Sequence, residues 1–191
     1  MKKWKVMAGA LSVCCVATLT AGTLAYFTAE DRAHNVITTG NVEVELQELT
    51  DQLDDQGNPV PFEKVDDVMP GAEVSKIAQV KNTGSNPAWV RVEVDKAIVL
   101  AEGVDGEPDA ELVVLDYNTG NWTESEGYYY YNDALEPGET TEPLFTTVTF
   151  SGDMDNLYKD STVEIDVQVS AVQSENNGTS VLQAAGWPET E

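Results

Sequence analysis

Cysteine, histidine and basic residues are scarce in this 191-residue chain, and each shortage removes a class of explanation. The two cysteines, Cys14 and Cys15, both fall inside an apolar N-terminal run, so the sequence beyond them offers no disulfide and no thiolate ligand. Stability has to come from a packed core. The length allows one, since a domain of roughly 150 residues buries about 70% of its unfolded surface. His34 is the single histidine, whereas a protease-type zinc site needs at least two imidazoles or equivalent nitrogen or sulfur ligands. A serine triad would have to use His34 as its base, and no Gly-x-Ser-x-Gly context accompanies it. Carboxylate pairs for glycoside hydrolysis abound, but among 34 acidic residues any chosen pair is uninformative. The inventory argues against an enzyme and leaves a secreted hydrolase as the weakest reading.

Positive charge is concentrated where it does least to balance the chain. Lys2, Lys3 and Lys5 precede an uncharged apolar run from Val6 to about Leu24. This is the basic region and hydrophobic region of a helical signal peptide. Thr23 and Ala25 suit the minus-three and minus-one positions of a signal peptidase, which places cleavage between Ala25 and Tyr26. The alternatives are an uncleaved membrane anchor, since about 19 apolar residues span a bilayer, and a lipoprotein-type site at Cys14, against which Val13 counts. Cleavage after residue 25 leaves seven of the 10 basic residues against all 34 acidic ones, a formal charge of −27 in place of −24. Such a field disfavours nucleic acid and anionic membrane as partners and favours divalent cations and basic surfaces. Membrane contact is then expected only through the uncleaved signal peptide. Solubility alone is the simpler account of the charge.

What the rest of the sequence has in quantity is alternation. Val163, Ile165, Val167 and Val169 interleave with Glu164, Asp166, Gln168 and Ser170, the pattern of a half-buried strand. Val90, Val92 and Val94 repeat it, as do Val42, Val44 and Leu46. Further β-branched or aromatic runs lie at 36–39, 74–81, 112–117, 127–131 and 144–150, each bounded by turn residues. No sustained helical stripe appears. Pro70-Gly71 and Pro137-Gly138 carry the chemistry of type II turns. Seven or eight such strands predict an all-β fold, an antiparallel β-sandwich of jelly-roll or immunoglobulin-like type. It would occupy residues 26–172 between a signal peptide at 1–25 and an extension at 173–191 that packs on or trails from it. The acidic stretches 51–58 and 102–111 are expected as loops.

The candidate ligand sites are few. Asp153, Asp155 and Asn156 group hard oxygen donors in one loop, as do Asp51, Asp54 and Asp55, which makes calcium the one metal to consider. Neither loop has the glycine or ligand spacing of an EF-hand, and solvated turn carboxylates are the alternative. No other cofactor is implied. Tyr128 to Tyr131 could offer a stacking surface for carbohydrate, but in a strand one tyrosine pair packs in the core while the other faces out. Trp187 is expected to cap the edge of a core.

The signal junction, Gly22-Thr23-Leu24-Ala25-Tyr26-Phe27-Thr28, followed by Thr38-Thr39-Gly40-Asn41-Val42-Glu43-Val44-Glu45-Leu46, resembles the N-termini of SipW-dependent exported proteins of Gram-positive bacteria. That class holds TasA, camelysin-type and BsaA-like biofilm matrix proteins. The resemblance continues through Met69-Pro70-Gly71-Ala72-Glu73-Val74-Ser75-Lys76, Lys81-Asn82-Thr83-Gly84-Ser85 and Val90-Arg91-Val92. It is nearest the BsaA-like group in Val169-Ser170-Ala171-Val172-Gln173 and Ala185-Gly186-Trp187. Residues 101–131 have no counterpart in it. The resemblance implies cleavage by a SipW-like signal peptidase, a jelly-roll sandwich and assembly into matrix fibres outside the cell. The peptidase label of camelysin-type members finds no zinc motif here to receive it.

An exposed strand edge templates pairing with another chain. The segment freed by cleavage, with Tyr26, Phe27, Val36 and Ile37 at its apolar positions, is therefore the candidate assembly strand that adds to a neighbour's sheet. Pairing within its own subunit is the alternative. Other matrix proteins or polysaccharide are expected partners beside self-association, and a monomeric surface-binding module is the competing function.

Overall fold

In the computed structural model the described residues are 27–31, 35–39 and 42–188. The predicted signal peptide, the Ala25–Tyr26 cleavage position and His34 lie outside them. Among the described residues no helix is long and apolar enough to cross a membrane. Twelve strands follow in order: β1 (Phe27–Asp31), β2 (Asn35–Thr39), β3 (Val44–Leu53), β4 (Pro59–Pro61), β5 (Val65–Val68), β6 (Glu73–Asn82), β7 (Ala88–Val99), β8 (Val113–Leu115), β9 (Trp122–Ser125), β10 (Tyr128–Tyr131), β11 (Phe145–Phe150) and β12 (Ser161–Gln173). They form two sheets. The first runs β5-β1-β12-β7-β10-β9, with β2 also on β12; the second runs β4-β3-β6-β11-β8.

Both sheets feed one core. Val163, Ile165, Val167 and Val169 of β12 and Val90 and Val92 of β7 meet Val44 and Leu46 of β3, Ala78 and Val80 of β6, and Phe145, Val148 and Phe150 of β11. The alternation read from the sequence is thus the alternation of burial, and each such side chain contributes about 1.5–3 kcal/mol by leaving water. The two Pro-Gly turns close as expected. Ala72 N–H donates to Met69 C=O at 3.0 Å and Glu139 N–H to Glu136 C=O at 3.0 Å, with φ of 78° at Gly71 and 85° at Gly138.

Three features differ from the expectation. Residues 51–53 continue β3 instead of opening a loop, because their backbone pairs with β4 at Leu53↔Pro59. Short strands β1, β4, β5 and β9 are added, each of five residues or fewer, too short to show alternation. Pairing is antiparallel throughout except for β1 and β2, which run parallel to β12.

Alternation also breaks where both faces are covered. Ala88 to Val92 of β7 and Val169 to Val172 of β12 are buried without interruption, because residues 174–188 fold back over the outer face of the first sheet. Val181, Ala184 and Trp187 pack there against Trp89, Tyr130 and Val172. Trp89 Nε1 donates to Asn177 C=O at 2.8 Å. The Arg91 guanidinium lies between the rings of Tyr128 (3.9 Å) and Trp187 (4.9 Å) and donates to Pro188 C=O at 2.8 Å. The tyrosine strand splits as its period demands: Tyr129 and Tyr131 join the core, with Tyr129 stacked on Tyr117 at 4.3 Å, while Tyr128 and Tyr130 meet the C-terminal segment.

Two lysines occupy inward positions. Lys96 of β7 donates to Val113 C=O of β8 at 2.8 Å and so ties the sheets together. Lys76 of β6 lies 2.6 Å from Glu48 of β3, their side chains 1% and 2% exposed, with the Lys76 ammonium 4.2 Å from the centre of the Phe62 ring. Removing one partner of a buried pair strands the other charge, at about 3–5 kcal/mol, whereas replacing both by apolar groups of similar volume is often neutral or stabilising. Lys76→Ala is therefore expected to lower stability by about 3–5 kcal/mol in urea denaturation. The double variant Lys76→Met with Glu48→Leu should recover most of that loss.

Candidate functional site

The longest strand organises the predicted assembly segment. On one edge β12 pairs with β7 without interruption from Thr162↔Val99 to Gln173↔Ala88. On the other edge it holds the N-terminal segment in parallel register. Phe27 to Asp31 lie opposite Ser161 to Ile165, and Asn35 to Thr39 opposite Gln168 to Val172. Ten N-terminal residues thereby fill one side of β12. The outer edge of β1 is covered in turn by β5, with a register shift between Phe27↔Val68 and Ala29↔Val65. β2 has no second strand partner among the described residues.

Of the residues expected in the assembly strand, Phe27 falls in β1, Val36 and Ile37 fall in β2, and Tyr26 lies outside the described residues. The structure brings these two strands onto β12 of the same chain. Val36 remains 38% exposed and, with Val44, Leu46, Glu43, Glu45 and Thr83, lines an open cleft of about 480 Å³ where β2 faces β3.

Past β2 the chain crosses to the second sheet, and it is pinned as it arrives. The Thr83 and Gly84 N–H groups both donate to Glu43 C=O, at 3.0 and 2.9 Å. A Cβ on Gly84 would stand 2.8 Å from the Glu43 nitrogen, closer than real contacts permit, so glycine is what allows this approach. Asn82 holds the turn that presents these groups. It is fully buried, its amide donates to Asn86 C=O (2.9 Å) and Leu135 C=O (2.8 Å), and its Oδ1 accepts from Gly84 N–H (2.9 Å). The Lys-Asn-Thr-Gly stretch, weak as a sequence signal, is therefore the clamp that fixes the chain at Glu43 just beyond the N-terminal strands. Its role was visible only as turn chemistry, because the Glu43 and Leu135 backbones it binds are remote in sequence.

The candidate calcium residues are engaged in turn formation. The Asp155 carboxylate accepts from Leu157 N–H at 2.8 Å and caps the 3-10 turn Asn156–Tyr158, Asn156 C=O accepts from Lys159 N–H at 3.4 Å, and Asp153 N–H donates to Ser151 Oγ at 3.1 Å. In the other acidic stretch, Asp54 Oδ1 accepts from the N–H groups of Asn58 and Gln56, both at 2.8 Å. These bonds, those from Asn58 foremost, hold its carboxyl below the usual range. Among the described residues no three His, Cys, Asp or Glu side chains are grouped so as to hold a metal ion.

The acidic residues that do gather lie on the outer face of the first sheet. Asp95 stands directly opposite Asp166, and Glu93 opposite Gln168. Like charges in cross-strand pairs are destabilising, and Asp166 Oδ1 is buried with no hydrogen-bond partner. Arg91 begins the same row and was not singled out from sequence, since the Val90-Arg91-Val92 alternation marks it as an ordinary outward position. Nothing local announces that residues 187 and 188 return to cover it.

Compared with models of protein families, with curated proteins and with solved structures, the chain matches none.

The clamp at Glu43 is testable with two glycines. Gly84→Ala forces Cβ against backbone and is expected to cost about 1–3 kcal/mol. Gly152→Ala, where a Cβ meets open space and φ is not positive, should leave the urea midpoint nearly unchanged. Equal midpoints for the two variants would show that the approach to Glu43 is not tight.

Proposed function

We propose that this chain is a non-catalytic, secreted structural subunit of Gram-positive surface fibres or biofilm matrix, which assembles by lending its N-terminal strands to a neighbouring copy. In this reading the two layers form a β-sandwich of jelly-roll or immunoglobulin-like type, and a SipW-like signal peptidase frees Tyr26 by cutting after Ala25.

One observation carries the proposal. Residues 27–31 and 35–39 line one edge of β12 in parallel backbone register, ahead of the clamp at Glu43 that pins the chain to the second sheet. A neighbour's segment can fill the same register, Phe27 to Asp31 on Ser161 to Ile165 and Asn35 to Thr39 on Gln168 to Val172, with the same number of hydrogen bonds. Exchange of an identical element between copies is a low-cost route to assembly, and head-to-tail exchange that does not close into a ring grows a filament. A precursor anchored in the membrane has no free strand to lend, so cleavage licenses the step.

The resemblance at the signal junction supports the same reading, as does a cysteine-free mature sequence with a charge of −27. Calcium enters as a counter-ion to that charge rather than through a dedicated site. Other matrix proteins or polysaccharide are the further partners.

Negative-stain microscopy of residues 26–191 should show filaments, and a version lacking Tyr26 to Asn35 should show none while remaining folded. A synthetic peptide of residues 26–39 should raise the melting temperature of that truncated version by refilling β12. Filaments that persist without the segment would overturn strand donation, and single particles in every condition would favour a monomeric surface-binding module.

Charge sets a second expectation. Copies at −27 repel one another, and salt shortens that repulsion to a Debye length of about 10 Å at 0.1 M. Acid reduces it by protonating carboxylates, and calcium by binding among them. Light scattering should therefore report faster polymerisation with rising ionic strength, with millimolar calcium and with falling pH. Indifference to all three would limit the charge to solubility.

A further inference from the structure

Sheet edges are where two chains most readily join, and four of the edges here are blunted in recognisable ways. β4 is three residues long and two of them are Pro59 and Pro61. β8 spans three residues. β5 has four, among them Asp66 and Asp67, with Asp67 at φ 61°. β9 has four and carries Glu124. β2 has none of these protections. Its five residues, Asn35-Val36-Ile37-Thr38-Thr39, include no charge and no proline, four are β-branched, and its outer edge meets no strand among the described residues. In a chain with 34 acidic residues this is a long, neutral, sticky edge.

We infer that the outer edge of β2 pairs antiparallel with β2 of a second copy across a twofold axis, so that the first sheets of two subunits run into one another. The occupant is a second copy for two reasons. A basic partner would be drawn to the acidic outer face at Glu93, Asp95 and Asp166, whereas two equally acidic chains approach at least cost along a strand without charge. The strand is also self-complementary. Reversed upon itself it sets Ile37 opposite Ile37, Val36 opposite Thr38 and Asn35 opposite Thr39, the β-branched pairs that stabilise antiparallel ladders. Extending an existing sheet, moreover, avoids the marginal stability of an isolated two-strand ribbon.

This contact is separate from strand donation, because it uses the edge of β2 that faces away from β12. Whichever copy supplies β2, that edge meets no strand among the described residues.

The test uses the absence of cysteine from residues 26–191, which contain every described residue. Directly opposed residues in an antiparallel pair have Cα atoms about 4.5–5.5 Å apart, within the span a disulfide bridges. Under mild oxidation, Ile37→Cys should form a disulfide-linked dimer on non-reducing gels. Asn35→Cys and Thr39→Cys should each stay monomeric alone and crosslink when mixed. Thr38→Lys, which sets a charge on the edge, should abolish the concentration-dependent dimer that sedimentation equilibrium detects in the unsubstituted chain. Strand donation alone places position 37 beside Ser170 of a neighbour and leaves every single-cysteine chain uncrosslinked, so the two assembly steps fail separately. No crosslink at position 37, or equal crosslinking at 35, 37 and 39, overturns the edge pairing.

Discussion

Everything in the first sheet depends on satisfying both edges of β12. Thirteen residues of backbone present donors and acceptors to either side, and a buried group left without a partner costs about 1–3 kcal/mol. β7 answers one side in a single antiparallel run. The other side is answered by the N-terminal segment, in two pieces and in parallel. The inward row of β12, Val163, Ile165, Val167 and Val169, lies at the centre of the shared core. The pairing on this edge therefore borders the core as well as completing the sheet.

Both ends of the described chain converge on this strand, and they do so on different surfaces. The N-terminal segment completes the backbone ladder. The C-terminal segment leaves β12 at Gln173 and folds over its outer face, where Asn177 fixes its path by donating to Gln173 and Ala185 C=O, both at 3.0 Å, while its Oδ1 accepts from Ala185 N–H at 2.8 Å. Trp187 then lies over the Arg91 guanidinium and meets the Tyr130 ring edge-on. A cation desolvated between two rings and bonded to a carbonyl is held more strongly than an exposed one. The C-terminal covering is thus knit to the sheet by side chains, and the N-terminal strands join it along the backbone ladder.

This difference explains what could be read in advance. Strands such as β7 and β12 were legible because water on one face and core on the other impose a period of two. Their buried halves hid the C-terminal covering, since uninterrupted burial leaves no polar face to betray it. β4, β5 and β9 were missed for want of length, β1 was expected only as part of the freed N-terminal strand, and the parallel pairing of β1 and β2 could not be read because register between remote segments leaves no local mark. Nothing in the sequence marks the roles of Lys76 and Lys96, because composition cannot tell a lysine that meets water from one that meets Glu48 or the Val113 carbonyl. Composition is equally silent at the Asp153–Asn156 stretch, since carboxylates that cap turns, as Asp155 does, and carboxylates that bind cations differ only in geometry.

In the proposed exchange, backbone register is what lets the N-terminal segment pass between copies. A side chain in a shaped socket specifies its partner, but N–H and C=O groups accept any strand of suitable direction and length. Moving residues 27–39 from one copy to the next leaves the hydrogen-bond count of β12 unchanged, so the equilibrium between closed and exchanged forms is governed by what differs between them. Those differences are the translational cost of association, the repulsion between acidic chains of formal charge −24, or −27 after the proposed cleavage, and the conformation available between β2 and the clamp at Glu43. Concentration works against the first and salt against the second. The third is set by the sequence between β2 and Glu43.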